Sequence, residues 1–172
     1  MKKNIFYTVI FLIGLILSKN ILADGEYIDP LWENNTEARV LAVDNDLYKR
    51  SCGSCHEAYP AGLLAPQSWE KIMMNLNTHF NQKIVLNKKE QSIILNYLLG
   101  NAAGRAKYKL SHNLIEKIKT TPPIRITKLP YFIKRHQGIT DKLTNCSNCH
   151  TQASQGSYDK KEVKESKNNN YN

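Results

Sequence analysis

Two short runs in this chain set two thiols and an imidazole at one repeated spacing. They are Cys52-Gly53-Ser54-Cys55-His56 and, about ninety residues later, Cys146-Ser147-Asn148-Cys149-His150. Two cysteines three residues apart on one helical turn can each add to a vinyl group of a haem, and the histidine that follows then lies beneath the iron. Each run therefore fixes three atoms of one cofactor, and each reads as a c-type haem attachment site.

Other chemistries of paired cysteines account for less of the pattern. All four cysteines of the chain lie in the two runs, and in an oxidising compartment they could form two disulfides. Disulfides give no reason for a histidine directly after both pairs. Two Cys-x-x-Cys pairs can also make a four-thiolate zinc site, but a gap of about ninety residues is far wider than in compact zinc modules. Zinc would again leave both histidines unexplained.

A six-coordinate iron needs a second axial ligand, and few side chains qualify. Besides His56 and His150 the chain has His79, His112 and His136; Met73 and Met74 are the only methionines after Met1. Both methionines fall inside an amphipathic pattern, where packing is the ordinary role. His112 stands in a Lys-rich polar stretch and reads as a surface residue. His79 is next to Phe80, and His136 lies just behind Tyr131-Phe132, so both border apolar surface suited to a haem. They are the candidate sixth ligands. Chain order pairs His79 with the first haem and His136 with the second, with a crossed arrangement left open.

The elements that would position these residues are mainly helical. Val40, Val43 and Leu47 recur at helical spacing, so a helix is expected from about Thr36 to Arg50, running into the first motif. Pro60, Gly62 and Pro66 break the chain after it, with Ala61-Gly62-Leu63-Leu64 as a wall for a haem edge. Ser68 is expected to cap a second helix with Trp69, Ile72, Met73, Leu76 and Phe80 on one face, closed by His79. Asn87 followed by Glu90 is a capping-box start for a third helix carrying Ile93, Ile94, Tyr97 and Leu98 and stopped by Gly100. Beyond Ala102 a short helix is expected at about Asn113 to Lys119 and an extended run at Ile124-Arg125-Ile126. Pro130 opens another helix that leads to His136.

Residues 1–23 read as a secretory signal: Lys2-Lys3, an apolar run from Ile5 to Leu17, and a cut after Ala23. The run is shorter than the roughly 20 apolar residues of a membrane span, so export to the periplasm is expected, without stable membrane insertion. Removing Lys2, Lys3 and Lys19 lowers the formal net charge from +9 to +6, and haem propionates would lower it further. The remaining cations are scattered, which speaks against nucleic-acid binding and for a basic face that steers an acidic redox partner. A hydrophobic fraction of 41% is modest for 172 residues; bound porphyrin would complete the core. The expected organisation is a first haem-binding unit at 24–101, a second at 102–156, and a Lys-, Glu- and Asn-rich disordered tail at 157–172.

The run Tyr48-Lys49-Arg50-Ser51-Cys52-Gly53-Ser54-Cys55-His56-Glu57-Ala58-Tyr59-Pro60, then Gly62-Leu63-Leu64, Ser68-Trp69 and His79-Phe80, resembles the dihaem cytochrome c family. Tyr97-Leu98, Asn101-Ala102-Ala103, Arg135-His136 and the second motif extend the resemblance over roughly residues 45–156. It implies an exported electron-transfer protein with two covalently bound haems c, each bis-histidine ligated, acting with other cytochromes such as a membrane cytochrome b or a monohaem cytochrome. It also implies His56 and His150 as proximal ligands and His79 and His136 as distal ones. The chain departs from the pattern at Asn81, where a glycine is expected after Phe80. The fold expected is a small cytochrome c-like helical unit around the first haem, followed by a short, loop-rich second unit. The other reading is a haem enzyme with one open iron acting on peroxide, nitrogen oxides or oxygen; the histidine count, enough to close both irons, speaks against it.

Overall fold

The computed structural model describes residues 38–105, 107–137, 143 and 145–164. The expected leader therefore lies outside the described residues. Among the described residues five α-helices follow in order: α1 Asp46–Cys52, α2 Pro66–Met74, α3 Lys88–Gly100, α4 Lys109–Glu116 and α5 Pro130–Arg135. Short 3-10 turns and loops join them, and β-pairing among the described residues is confined to isolated bridges. The fold is the small, all-helical one that the sequence predicts.

Local chemistry explains where the helices start. Asn45 caps α1, its side chain accepting from the Tyr48 N–H at 2.8 Å. The helix thus begins ten residues after Thr36, and residues 40–45 are not helical. Val40 is buried by pairing instead: its N–H donates to the Gly156 carbonyl at 2.9 Å. The periodicity of Val40, Val43 and Leu47 misled, and the Asn45-Asp46 cap was the better signal. In α2, Pro66 occupies the first turn and Ser68 is not a cap; Ser68 is buried and its hydroxyl donates to the Pro123 carbonyl at 2.9 Å. The capping box of α3 forms as expected, with Glu90 N–H to Asn87 Oδ1 at 2.9 Å and Asn87 N–H to Glu90 Oε2 at 3.0 Å. That helix ends at Asn101, whose side-chain amide donates to the Tyr97 carbonyl. The fourth helix starts at Lys109, four residues before the expected Asn113, because Leu110 and Leu114 both face the core. Ile126 heads a 3-10 turn at Ile126–Lys128 instead of ending an extended run.

The core is centred on Tyr48, Leu63, Leu64, Trp69, Met73, Ile94 and Leu98, and it continues into Leu110, Leu114, Ile126 and Leu129. Burial thus crosses the boundary expected at residues 101 and 102, and the second haem motif's surroundings share the first unit's core. Trp69 is fixed within it by an indole N–H donated to the Ala61 carbonyl at 2.8 Å.

The tail expected to be disordered from residue 157 is structured to residue 164. Tyr158 N–H donates to the Ala38 carbonyl at 2.8 Å, and Lys164 N–H to the Cys149 carbonyl at 2.8 Å. Asp159 caps a turn at Lys160–Glu162, and His150 and Val163 form an antiparallel bridge. A polar composition suggested disorder, but backbone pairing with residues 38–40 and 149–151 decides the outcome. Gly156 makes the turn into this segment possible. It has φ +77°, and a Cβ there would run into the Val40 carbonyl.

Candidate haem-binding sites

The first motif sits at the end of α1. Cys52 is the last residue of the helix, and the Gly53 N–H donates to the Lys49 carbonyl to close it. A Cβ at Gly53 would strike that same carbonyl. Cys55 and His56 follow in the next turn. The His56 Nδ1 lies 2.7 Å from the Glu57 carbonyl, which leaves Nε2 free to face a metal. Tyr59 stacks on the His56 ring at 4.9 Å.

Across from His56 stands His79, with ring centres 6.3 Å apart and planes 20° from parallel. His79 does not close a helix. It follows a 3-10 turn at Leu76–Thr78 and begins a tight reversal in which Gln82 N–H donates to the His79 carbonyl at 2.9 Å. Both central residues of that reversal have positive φ, Phe80 at 48° and Asn81 at 71°, the signature of a type I′ turn. Asn81 stands where the resemblance leads one to expect glycine, and asparagine is among the residues that tolerate this conformation. The guanidinium of Arg125 lies over the Phe80 ring at 3.9 Å.

The second motif is built the same way on a smaller scale. Asn145 caps a 3-10 turn at Cys146–Asn148, and the His150 N–H donates to the Cys146 carbonyl at 2.8 Å. The facing residue is His136, at the end of α5, with ring centres 6.0 Å apart. Phe132 stacks on the His136 ring at 3.9 Å, and its carbonyl lies 3.0 Å from His136 Nδ1, again leaving Nε2 free. Tyr158 meets His150 edge-on at 5.4 Å. Sequence reasoning missed Tyr158, because it falls in the expected tail.

These spacings test whether the residues fit a haem. Two imidazoles bonded through nitrogen to opposite faces of one metal, at about 2.0 Å each, have ring centres roughly 6 Å apart. Both pairs meet that separation. Burial, with the opposing histidine adding to it, lowers the basicity of both His79 and His150, which favours the neutral imidazole that a metal requires. Burial pushes the Cys52 thiol up to about 11 and the Cys146 thiol up to about 12. No cluster of three or more His, Cys, Asp or Glu able to hold a metal ion occurs among the described residues.

The remaining candidates fall elsewhere. Met73 is packed in the core, Met74 is exposed, and His112 is exposed beside Asn113, Ile115 and Glu116. The structure brings together His56 with His79 and His136 with His150, following chain order.

A short all-helical fold carrying two Cys-x-x-Cys-His motifs, each with a second histidine opposite, defines a small multihaem c-type cytochrome. The model of the dihaem cytochrome c family matches residues 48–158, and the chain belongs to that family. Its cofactors are accordingly two covalently bound haem c groups. Among solved structures, a diheme cytochrome c from Rhodobacter sphaeroides is similar at 32% identity and a TM-score of 0.62, covering 69% of this chain and all of that one. A second structure of the protein purified from that organism gives 31% identity, a TM-score of 0.54 and the same coverage of both chains. A diheme cytochrome type c from Shewanella baltica gives 31% identity and a TM-score of 0.55, covering 69% of this chain and 90% of that one. No curated protein matches significantly.

Proposed function

We propose that the chain is an exported, periplasmic carrier of single electrons. Cys52 and Cys55 attach one haem, held by His56 and His79; Cys146 and Cys149 attach the other, held by His150 and His136. The observation that carries this reading is the pair of facing histidines at each motif, at 6.3 and 6.0 Å. A bound haem supplies a one-electron iron couple. What the chain would contribute is two histidines already in place for each iron, so oxidation and reduction would need little rearrangement. Imidazole in place of a thioether also removes a ligand that raises the potential, so both midpoints are expected to be low.

The partner chemistry follows from charge. Lys71, Arg125 and Lys128 line one groove, which holds no acidic residue, and Arg125 lies over Phe80 beside His79. An acidic face on another cytochrome or redox protein would be drawn to this groove, beside the turn that carries His79. No helix among the described residues is long and apolar enough to cross a membrane.

The test is a visible spectrum of the exported protein, oxidised, reduced with dithionite, and reduced under carbon monoxide. The expected result is two haems per chain and a sharp reduced α-band that carbon monoxide does not change. A carbon monoxide shift or a high-spin ferric band would show an open iron and replace the carrier reading with the enzymatic one.

A further inference from the structure

Glu57 belongs to the first motif by sequence, directly after His56, but its side chain is committed to the second. Its Oε1 accepts from the Ser147 hydroxyl at 3.0 Å and its Oε2 from the Ser147 backbone N–H at 3.3 Å. Ser147 lies between Cys146 and Cys149, inside the loop that would carry the second haem. The bond spans ninety residues of chain and is partly buried.

We infer that Glu57 is a positioning residue that clasps the two haem motifs together and places a negative charge beside the second motif. The inference rests on the reading that both motifs carry haem. Two consequences follow from the geometry. Because the Glu57 backbone is next to His56 and its carboxylate holds the Cys146–Cys149 loop, one residue sets the spacing between the two attachment sites. Because a carboxylate in a partly buried place interacts strongly with nearby charge, it stabilises the oxidised, more positive iron over the reduced one. Ser147 contributes its hydroxyl and, shared with Asn145 Oδ1 at 3.1 Å, its backbone N–H, so the clasp and the charge can be separated by mutation.

Three variants of the holoprotein test this: Glu57→Gln, Glu57→Ala and Ser147→Ala. Midpoints are read for each haem by haem-resolved paramagnetic NMR during a potentiometric titration, and haem–haem magnetic coupling is read by EPR. Glu57→Gln keeps acceptor oxygen but loses charge. It is expected to favour reduction of the second haem about tenfold, which for one electron is about 59 mV, with wild-type coupling. Glu57→Ala is expected to raise that midpoint similarly and to alter the coupling as well. Ser147→Ala keeps the charge and one donor, so it should move the midpoint by less than half as much. A Glu57→Gln midpoint equal to wild type, or Glu57→Ala coupling equal to wild type, in proteins that retain two low-spin haems, overturns the inference while leaving the carrier reading intact. Fewer than two haems per wild-type chain would instead overturn the reading on which it rests.

Discussion

The turn that presents His79 offers the sharpest check on how backbone and site are linked. Phe80 and Asn81 both sit at positive φ, where a non-glycine residue costs roughly 1–2 kcal/mol and a β-branched one is an outlier. Replacing Asn81 with valine should therefore cost about 1–2 kcal/mol beyond what asparagine already bears. Such a loss shifts the equilibrium between the formed and opened turn by a factor of about 5 to 30. For a chain of this length it lowers Tm by roughly 2–8 °C. Since the turn is all that separates His79 from the loop leading to α3, the opened form withdraws His79 from its place opposite His56. The assay is carbon monoxide binding to the reduced protein alongside a thermal melt. Asn81→Val should acquire a carbon monoxide-reactive fraction at one haem, whereas Asn81→Gly, free of the steric cost, should stay inert and melt no lower than wild type. An Asn81→Val protein that melts with wild type and ignores carbon monoxide would refute the claim that this turn is strained and that it places His79.

Two further outcomes follow. Trp69→Phe removes the indole N–H that reaches the Ala61 carbonyl, although the Leu64 N–H still donates to that oxygen at 3.3 Å. The expected cost is about 1–2 kcal/mol in a denaturant melt, and a midpoint unchanged within error would show that the bond contributes nothing. Ending the chain after Gly156 removes Tyr158 and the pairing of residues 162–164 with Cys149 and Thr151, while ending it after Lys164 keeps both. The shorter protein should melt lower and lose the protection of its second haem from carbon monoxide. Identical melts for the two would mean that this segment does not hold the second site closed.

The chemistry was legible because it depends on covalent spacing. Cys-x-x-Cys-His requires no fold to be recognised, and with five histidines in the chain few residues could serve opposite His56 and His150. The capping box at Asn87 and the proline opening α5 were legible for a similar reason, since each satisfies its hydrogen bonds or fixes its dihedral within a few residues.

What the sequence left undecided were matters of long-range pairing. Val40 has helical spacing to Val43 and Leu47, but Gly156 is the partner that claims it. Ser68 resembles a cap and instead reaches the Pro123 carbonyl, fifty-five residues away. Residues 157–164 have a composition that suggests disorder, and they are ordered by the chain at 38–40 and 149–151. Glu57 lies beside one motif and binds the other. By itself the sequence determined that the chain carries two Cys-x-x-Cys-His motifs and three further histidines, because that motif is a local covalent spacing. Only the tertiary structure decided which histidine faces which, how the tail closes over the second site, and that one carboxylate ties the two motifs together, because those contacts form only when distant segments are packed against a shared core.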